Sequence, residues 1–296
     1  MNRNKSLRSI FIIILFLVLL FMAAAGSCIA QQDTTRQKPM RLILVDGSEL
    51  MGTIMQEDST SAVFKTISDI VIAIPRNKIR TMEYLSGQIA EGRYVVADPN
   101  DTRLFFAPTA RPLKAGCGYF SAYQIFFPMA AVGIADVVNL AGGFSLLPGS
   151  PNQLFYFAPK ITVLYRENLS LAGGVLYLNS TGGGKSSAGF FYGVGTYGTK
   201  NTALTLGLGW GYTGSDVSNK PVLLIGGEMR ASDGIKFISE NWFLPHSEIN
   251  LLSFGIRFFG ESLAADLGLI YPAGSEITGF PFFPWLGFAY NFGTAR

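Results

Sequence analysis

From Tyr119 onward the chain alternates bulky and small side chains at a period of two, and this alternation constrains the fold more than any other feature. It is clearest over residues 203–212. There Leu204, Leu206, Leu208, Trp210 and Tyr212 fall on one side of an extended chain, and Thr205, Gly207, Gly209 and Gly211 on the other. The last stretch repeats the design, with Phe288, Tyr290 and Phe292 opposed to Gly287, Ala289 and Asn291. In a soluble sheet the greasy face is buried and the other face carries long polar side chains to water. Here the second face is mainly Gly, Ala, Ser and Thr with isolated charges, which suits an enclosed interior. A row of such strands is viable in hydrocarbon only if it closes on itself, because every backbone polar group must then be paired.

Twelve stretches fit a strand: 119–127, 130–135, 139–147, 153–165, 169–178, 188–198, 202–212, 221–231, 235–244, 249–260, 262–272 and 282–292. Most have the length a tilted strand needs to cross a bilayer, about 9–11 residues. The connections alternate in length. Short ones lie at 136–139, 166–168, 199–201, 232–234 and 260–262, and longer ones at 148–152, 179–187, 213–220, 245–248 and 273–281. Short periplasmic turns and longer outer loops are the arrangement of outer-membrane barrels, and an even strand number leaves both chain ends in the periplasm. Composition agrees: charged residues are 15%, against about 25% in soluble domains, while Phe (24), Tyr (12) and Gly (34) are abundant. The expected fold is all-β, an antiparallel up-and-down transmembrane β-barrel of about twelve strands over 119–296, preceded by a small five-stranded β domain.

Residues 287–292, GFAYNF, resemble the terminal strand by which bacterial outer-membrane barrels are recognised for assembly, although four residues, 293–296, follow the final Phe. With the strand pattern, the chain resembles porin-like outer-membrane β-barrel proteins. That resemblance implies outer-membrane lipid as surroundings and the barrel assembly machinery as a partner during biogenesis.

The N-terminus reads as an export signal over 1–30: Arg3, Lys5 and Arg8 precede an uninterrupted apolar run, 10–25, followed by small residues. Cleavage after Ala30 leaves Gln31 first. Two alternatives stay open, a lipoprotein acylated at Cys28, which lacks the usual upstream Leu, and an uncleaved membrane anchor. After cleavage only Cys117 remains, and with a single His no His/Cys metal cluster can be assembled.

Residues 41–84 alternate short apolar runs with turn signals, namely 41–45, 50–56, 62–66, 70–74 and 79–83, with DGS at 46–48 and EDS at 57–59. The strings VDGSELMGTI at 45–54 and IPRNKI at 74–79 resemble the Sm-like family of five-stranded SH3-type barrels over about 45 residues. Ser61–Ala62 and Arg76–Asn77 stand where that family carries its RNA-binding pairs, so RNA binding does not carry over. The domain is expected in the periplasm, with a structural or protein-contact role. A net charge of +3 without a basic stripe also argues against nucleic acid. Residues 85–118, broken by Pro99, Pro108 and Pro112, are expected as a solvated linker; the sharper alternative takes Arg103 and Arg111 into the barrel mouth as a partial plug.

With the greasy face outward, Lys160, Glu228, Arg230, Glu240, Arg257 and Asp266 fall on the inner face. They form either an ion-pair network inside a narrow barrel or a constriction that selects solutes by charge. His246 beside Ser247 invites a barrel-embedded hydrolase, acting on lipid or peptide at the cell surface. Adjacent residues on an extended chain point apart, however, and no Asp or second His is placed to orient the imidazole. The GGGK string at 182–185 lacks P-loop spacing. Trp210, Trp242 and Trp285 fit an aromatic girdle at the outer side. No catalytic, metal or cofactor residue is assigned, and the expected role is non-enzymatic: a narrow solute channel or a structural component of the envelope.

Overall fold

In the computed structural model, which describes residues 38–90, 92–182, 187–244, 249–274 and 280–293, the alternating sequence becomes a closed antiparallel barrel. Its strands are β8 (Gly118–Tyr123), β9 (Phe127–Ala135), β10 (Val138–Phe144), β11 (Leu154–Phe157), β12 (Lys160–Tyr165), β13 (Leu169–Ser180), β14 (Ala188–Gly198), β15 (Thr202–Thr213), β17 (Val222–Ser232), β18 (Ile235–Phe243), β19 (Asn250–Phe259), β20 (Leu263–Ala273) and β21 (Phe283–Phe292), with a two-residue β16 (Asp216–Val217) beside β15. Strands β11 and β12 are one wall element interrupted at Ala158–Pro159, since both pair with β10 and with β13. The wall therefore has twelve members. It closes where β21 pairs with β8, from Gly287 opposite Tyr123 to Phe292 opposite Gly118. Closure leaves no unpaired sheet edge.

The two faces of the wall divide as the alternation requires. On β15 Leu206 is 49% exposed while Thr205 is 1% exposed; on β21 Phe288 is 50% exposed while Ala289 is 3% exposed. Leu204, Leu208, Phe254, Phe258, Leu267 and Tyr290 continue the outward apolar surface.

The first turn of the barrel differs from the sequence expectation, and the third strand ends at Phe144 rather than at 147. Pro128 and Met129 were expected to connect the first two strands, but the turn lies at Gln124–Ile125, both at positive φ (49° and 65°). Gln124 stabilises it, its Nε2 donating to the Pro284 carbonyl at 2.8 Å and its Oε1 accepting from Leu286 N–H at 2.9 Å. Pro128 is then the second residue of β9, where a missing N–H is tolerated near a strand end.

Before the barrel, β1 (Met40–Leu44), β2 (Glu49–Glu57), β3 (Ser61–Thr66), β4 (Val71–Pro75) and β5 (Ile79–Tyr84) form a separate antiparallel sheet in the order β4-β3-β2-β1-β5, with a 3-10 turn at Arg76–Lys78. Its core is Met40, Leu42, Phe64 and Ile74. A short hairpin, β6 (Gln88–Ala90) and β7 (Arg93–Val95), leads away from it. The expected leader 1–30 with Cys28, the His246–Ser247 pair and residues 183–186 of the loop containing Lys185 lie outside the described residues.

Candidate functional site

The site is built by the segment expected as a solvated linker. Residues 98–113 are instead folded inside the barrel: Asn100, Leu104, Ala107, Thr109 and Ala110 are fully buried and Arg103, Phe105 and Arg111 nearly so. Pro99, Pro108 and Pro112 exclude a helix or a long strand, so the segment folds back as a tight loop. Leu104 N–H donates to the Ala107 carbonyl and Thr109 N–H to the Thr102 carbonyl, both at 2.9 Å. Its tip packs on bare wall, because Cβ atoms at Gly226 and Gly268 would run into Leu104 and Phe105.

The charged groups of the inner face hold this plug. Glu240 accepts the N–H groups of Phe106 (2.9 Å) and Ala107 (3.0 Å) on one oxygen and Trp242 Nε1–H (2.8 Å) on the other. Arg257 donates from Nε to its cross-strand partner Asp266 at 2.6 Å, and from Nη1 to the Asn100 carbonyl at 2.8 Å and to Asp98 at 3.2 Å. Lys236 bridges Glu228 (2.9 Å) and Asp98 (3.1 Å). Arg111 pairs with Glu228, Arg103 with Asp266. Lys160 donates to the carbonyls of Thr109 (2.8 Å) and Arg111 (2.7 Å) rather than to a carboxylate. Burying an ion unpaired costs several kcal/mol or more, so each wall charge requires the partner that faces it: a plug charge for Glu228, Lys236, Arg257 and Asp266, and plug backbone groups for Lys160 and Glu240.

Of the six residues the sequence placed in the lumen, five, Lys160, Glu228, Glu240, Arg257 and Asp266, are buried around the plug. Arg230 is separate. It sits half-exposed at the short-turn end, with its Nε on Asn201 (2.8 Å), its Nη2 on the Val96 carbonyl (2.9 Å) and its guanidinium 5.0 Å from the Phe259 ring. Four members were absent from the sequence-derived network: Asp98, Arg103 and Arg111 of the plug, and Lys236. Parity signals Lys236, which precedes the inward Ile238 and Glu240 by two and four residues.

Beyond the plug, toward the long loops, the inner face changes character. Met129, Tyr156, Tyr192, Leu224 and Trp242 line a chamber of about 130 Å³, with Arg103 and Tyr123 at its plug side. Polar groups crowd the half near the short turns and carbon lines the half near the long loops. The described residues contain no cluster of three or more His, Cys, Asp or Glu side chains that could hold a metal ion.

No protein-family model and no curated protein matches this chain. Among solved structures it is similar to the KdgM porin in complex with disordered oligogalacturonate, at 8% identity and a TM-score of 0.46 over 60% of this chain and 98% of that one. It is also similar to the NanC porin, at 9% identity and 0.39 over 60% and 98%. A third is the Acinetobacter baumannii outer membrane protein Omp33, at 9% identity and 0.39 over 63% and 100%. Residue roles therefore rest on this chain's own geometry.

Proposed function

We propose that the chain is a non-enzymatic, integral outer-membrane barrel, a narrow solute channel held closed by residues 98–113. The observation that carries this reading is the inverted distribution of polarity: charges are sequestered within the barrel while Leu, Phe and Tyr side chains ring its outside. Soluble monomers rarely expose an apolar patch beyond a few hundred Å², whereas a bilayer requires an apolar band on a closed wall. Strands of 9–12 residues, as in β13 to β15 and β17 to β21, match the thickness to be crossed. In this reading the short turns, both chain ends and the small five-stranded domain face the periplasm, where that domain is a protein-contact module, and the long loops face outward.

Closure rather than a permanently solid barrel is favoured by how the plug is held. Beside the packing of Leu104 and Phe105 on the wall, it is held by ion pairs and hydrogen bonds, which water can replace as the segment leaves. The test is single-channel conductance in planar bilayers. The full chain should be silent or conduct weakly, and a variant lacking residues 99–112 should give discrete steps. A plug-less barrel that inserts but stays silent would defeat the channel reading and leave the structural envelope role.

A further inference from the structure

Resting on that barrel reading, we propose that the barrel binds a tripeptide with free ends in the place that residues 107–109 of the plug occupy, its ammonium on Glu240 and its carboxylate on Lys160. The wall charges divide by where their partners lie. Arg257 and Asp266 stand opposite each other on β19 and β20 and bond at 2.6 Å, and Lys236 reaches Glu228 of the neighbouring strand at 2.9 Å. These four stay paired within the wall when the plug is displaced. Lys160 and Glu240 do not. Both hydrogen bonds that Lys160 makes among the described residues go to plug carbonyls, and the Glu240 carboxylate keeps only Trp242 Nε1–H once the N–H groups of Phe106 and Ala107 leave. In the wall, β13, β14, β15 and β17 stand between β12, which carries Lys160, and β18, which carries Glu240. The unmatched cation and the unmatched anion therefore face each other across the lumen.

The plug shows what fits between them. Ala107 N–H donates to Glu240 at 3.0 Å and the Thr109 carbonyl accepts from Lys160 at 2.8 Å. One stretch, Ala107-Pro108-Thr109, thus presents its donor end to the anion and its acceptor end to the cation. A free tripeptide has the same reach, at most about 10 Å, and carries a full charge at each end where the plug offers a neutral amide. Charge-assisted hydrogen bonds are roughly twice as strong as neutral ones, so the guest improves on the segment it replaces at both ends.

The exchange also conserves charge. Residues 98–113 carry Asp98 and Asp101 against Arg103 and Arg111, with Asp101 facing Lys160 and Arg111. A segment of no net charge leaves and a zwitterion of no net charge enters. Phe106, Pro108 and Lys160 line the chamber together with Tyr156, Tyr192 and Trp242, so a guest arriving from the long-loop side meets this part of the plug first.

The experiment titrates the full-length chain, folded in detergent micelles, with Ala-Pro-Thr bearing free ends, with its N-acetyl form and with its C-terminal amide, following binding by calorimetry. The free tripeptide should saturate one site and bind roughly tenfold or more tightly than either blocked form, and more tightly still to the variant lacking residues 99–112, in which no plug competes. E240Q should erase the preference for a free amino end while keeping that for a free carboxylate. K160Q should do the reverse, a cross that general loosening of the barrel does not produce. Equal binding of free and blocked peptides, tighter binding of glycine than of the tripeptide, or no saturable binding to either the full chain or the plug-less variant while both keep heat-modifiable mobility would each overturn the assignment. Conductance steps from the plug-less variant would then leave the channel reading standing. A chain that forms no heat-modifiable barrel would overturn the outer-membrane reading itself, and this inference with it.

Discussion

At the scale of single residues, the molecule depends on charges that are tolerable only in company. Asp266 is fully buried between Arg257 and Arg103, one from the neighbouring strand and one from the plug. D266A leaves two buried guanidinium groups short of their carboxylate and should destabilise the folded chain by about 3–5 kcal/mol, measured as urea unfolding in micelles by tryptophan fluorescence; a change below about 1 kcal/mol would mean that solvent reaches the pair. Gly226 makes a different demand. Its Cβ position is occupied by Leu104, so G226V should expel the plug tip while the strand pairing survives, and should raise conductance in bilayers. Five wall residues of this network, Lys160, Glu228, Glu240, Arg257 and Asp266, were legible because a charge on the small-residue face of an alternating strand points inward, whereas Lys236 was passed over although it shares that parity. Arg103 and Arg111 were visible only as one alternative, since a Pro-broken segment has no periodicity from which to infer burial.

At the scale of elements, the strands follow from local pattern and the plug does not. Each strand stretch announced its own two faces, and even the break between β11 and β12 falls at a proline, Pro159, that lacks the donor a continuous ladder needs. The first turn of the barrel was misplaced because Pro128 is a strong turn signal locally, whereas Gln124 is fixed there by bonds to Pro284 and Leu286, far away in sequence. In the small domain, the turn between β2 and β3 is tied by the exposed Asp58 carboxylate, which accepts from the Thr60 hydroxyl and from the N–H groups of Thr60 and Ser61 at 2.7 Å each. These bonds hold its pKa down from 3.8 to about 2. A carboxyl depressed in the folded state contributes stability that is full above the ordinary value of 3.8 and is lost as pH falls toward 2. The melting temperature of this domain should therefore drop between pH 4 and pH 2 by more in the native chain than in D58N, whose amide oxygen accepts the same bonds without titrating. Parallel pH profiles would remove Asp58 from the acid response.

At the scale of the whole molecule, the reading as a membrane barrel predicts behaviour that no single residue controls. The mature chain should require detergent to stay dispersed, and the folded form should migrate faster than the boiled form in a detergent gel. A chain that remains folded and monomeric in plain buffer would refute membrane insertion. By itself the sequence determined the wall: the number of strands and which side chains face outward, because a period of two is a local property that survives in any extended chain. Only the tertiary structure decided what fills the barrel. Burial of residues 98–113 depends on Glu240, Arg257, Lys236 and Lys160 converging from separate strands on one loop, and that convergence exists only once β21 has closed on β8.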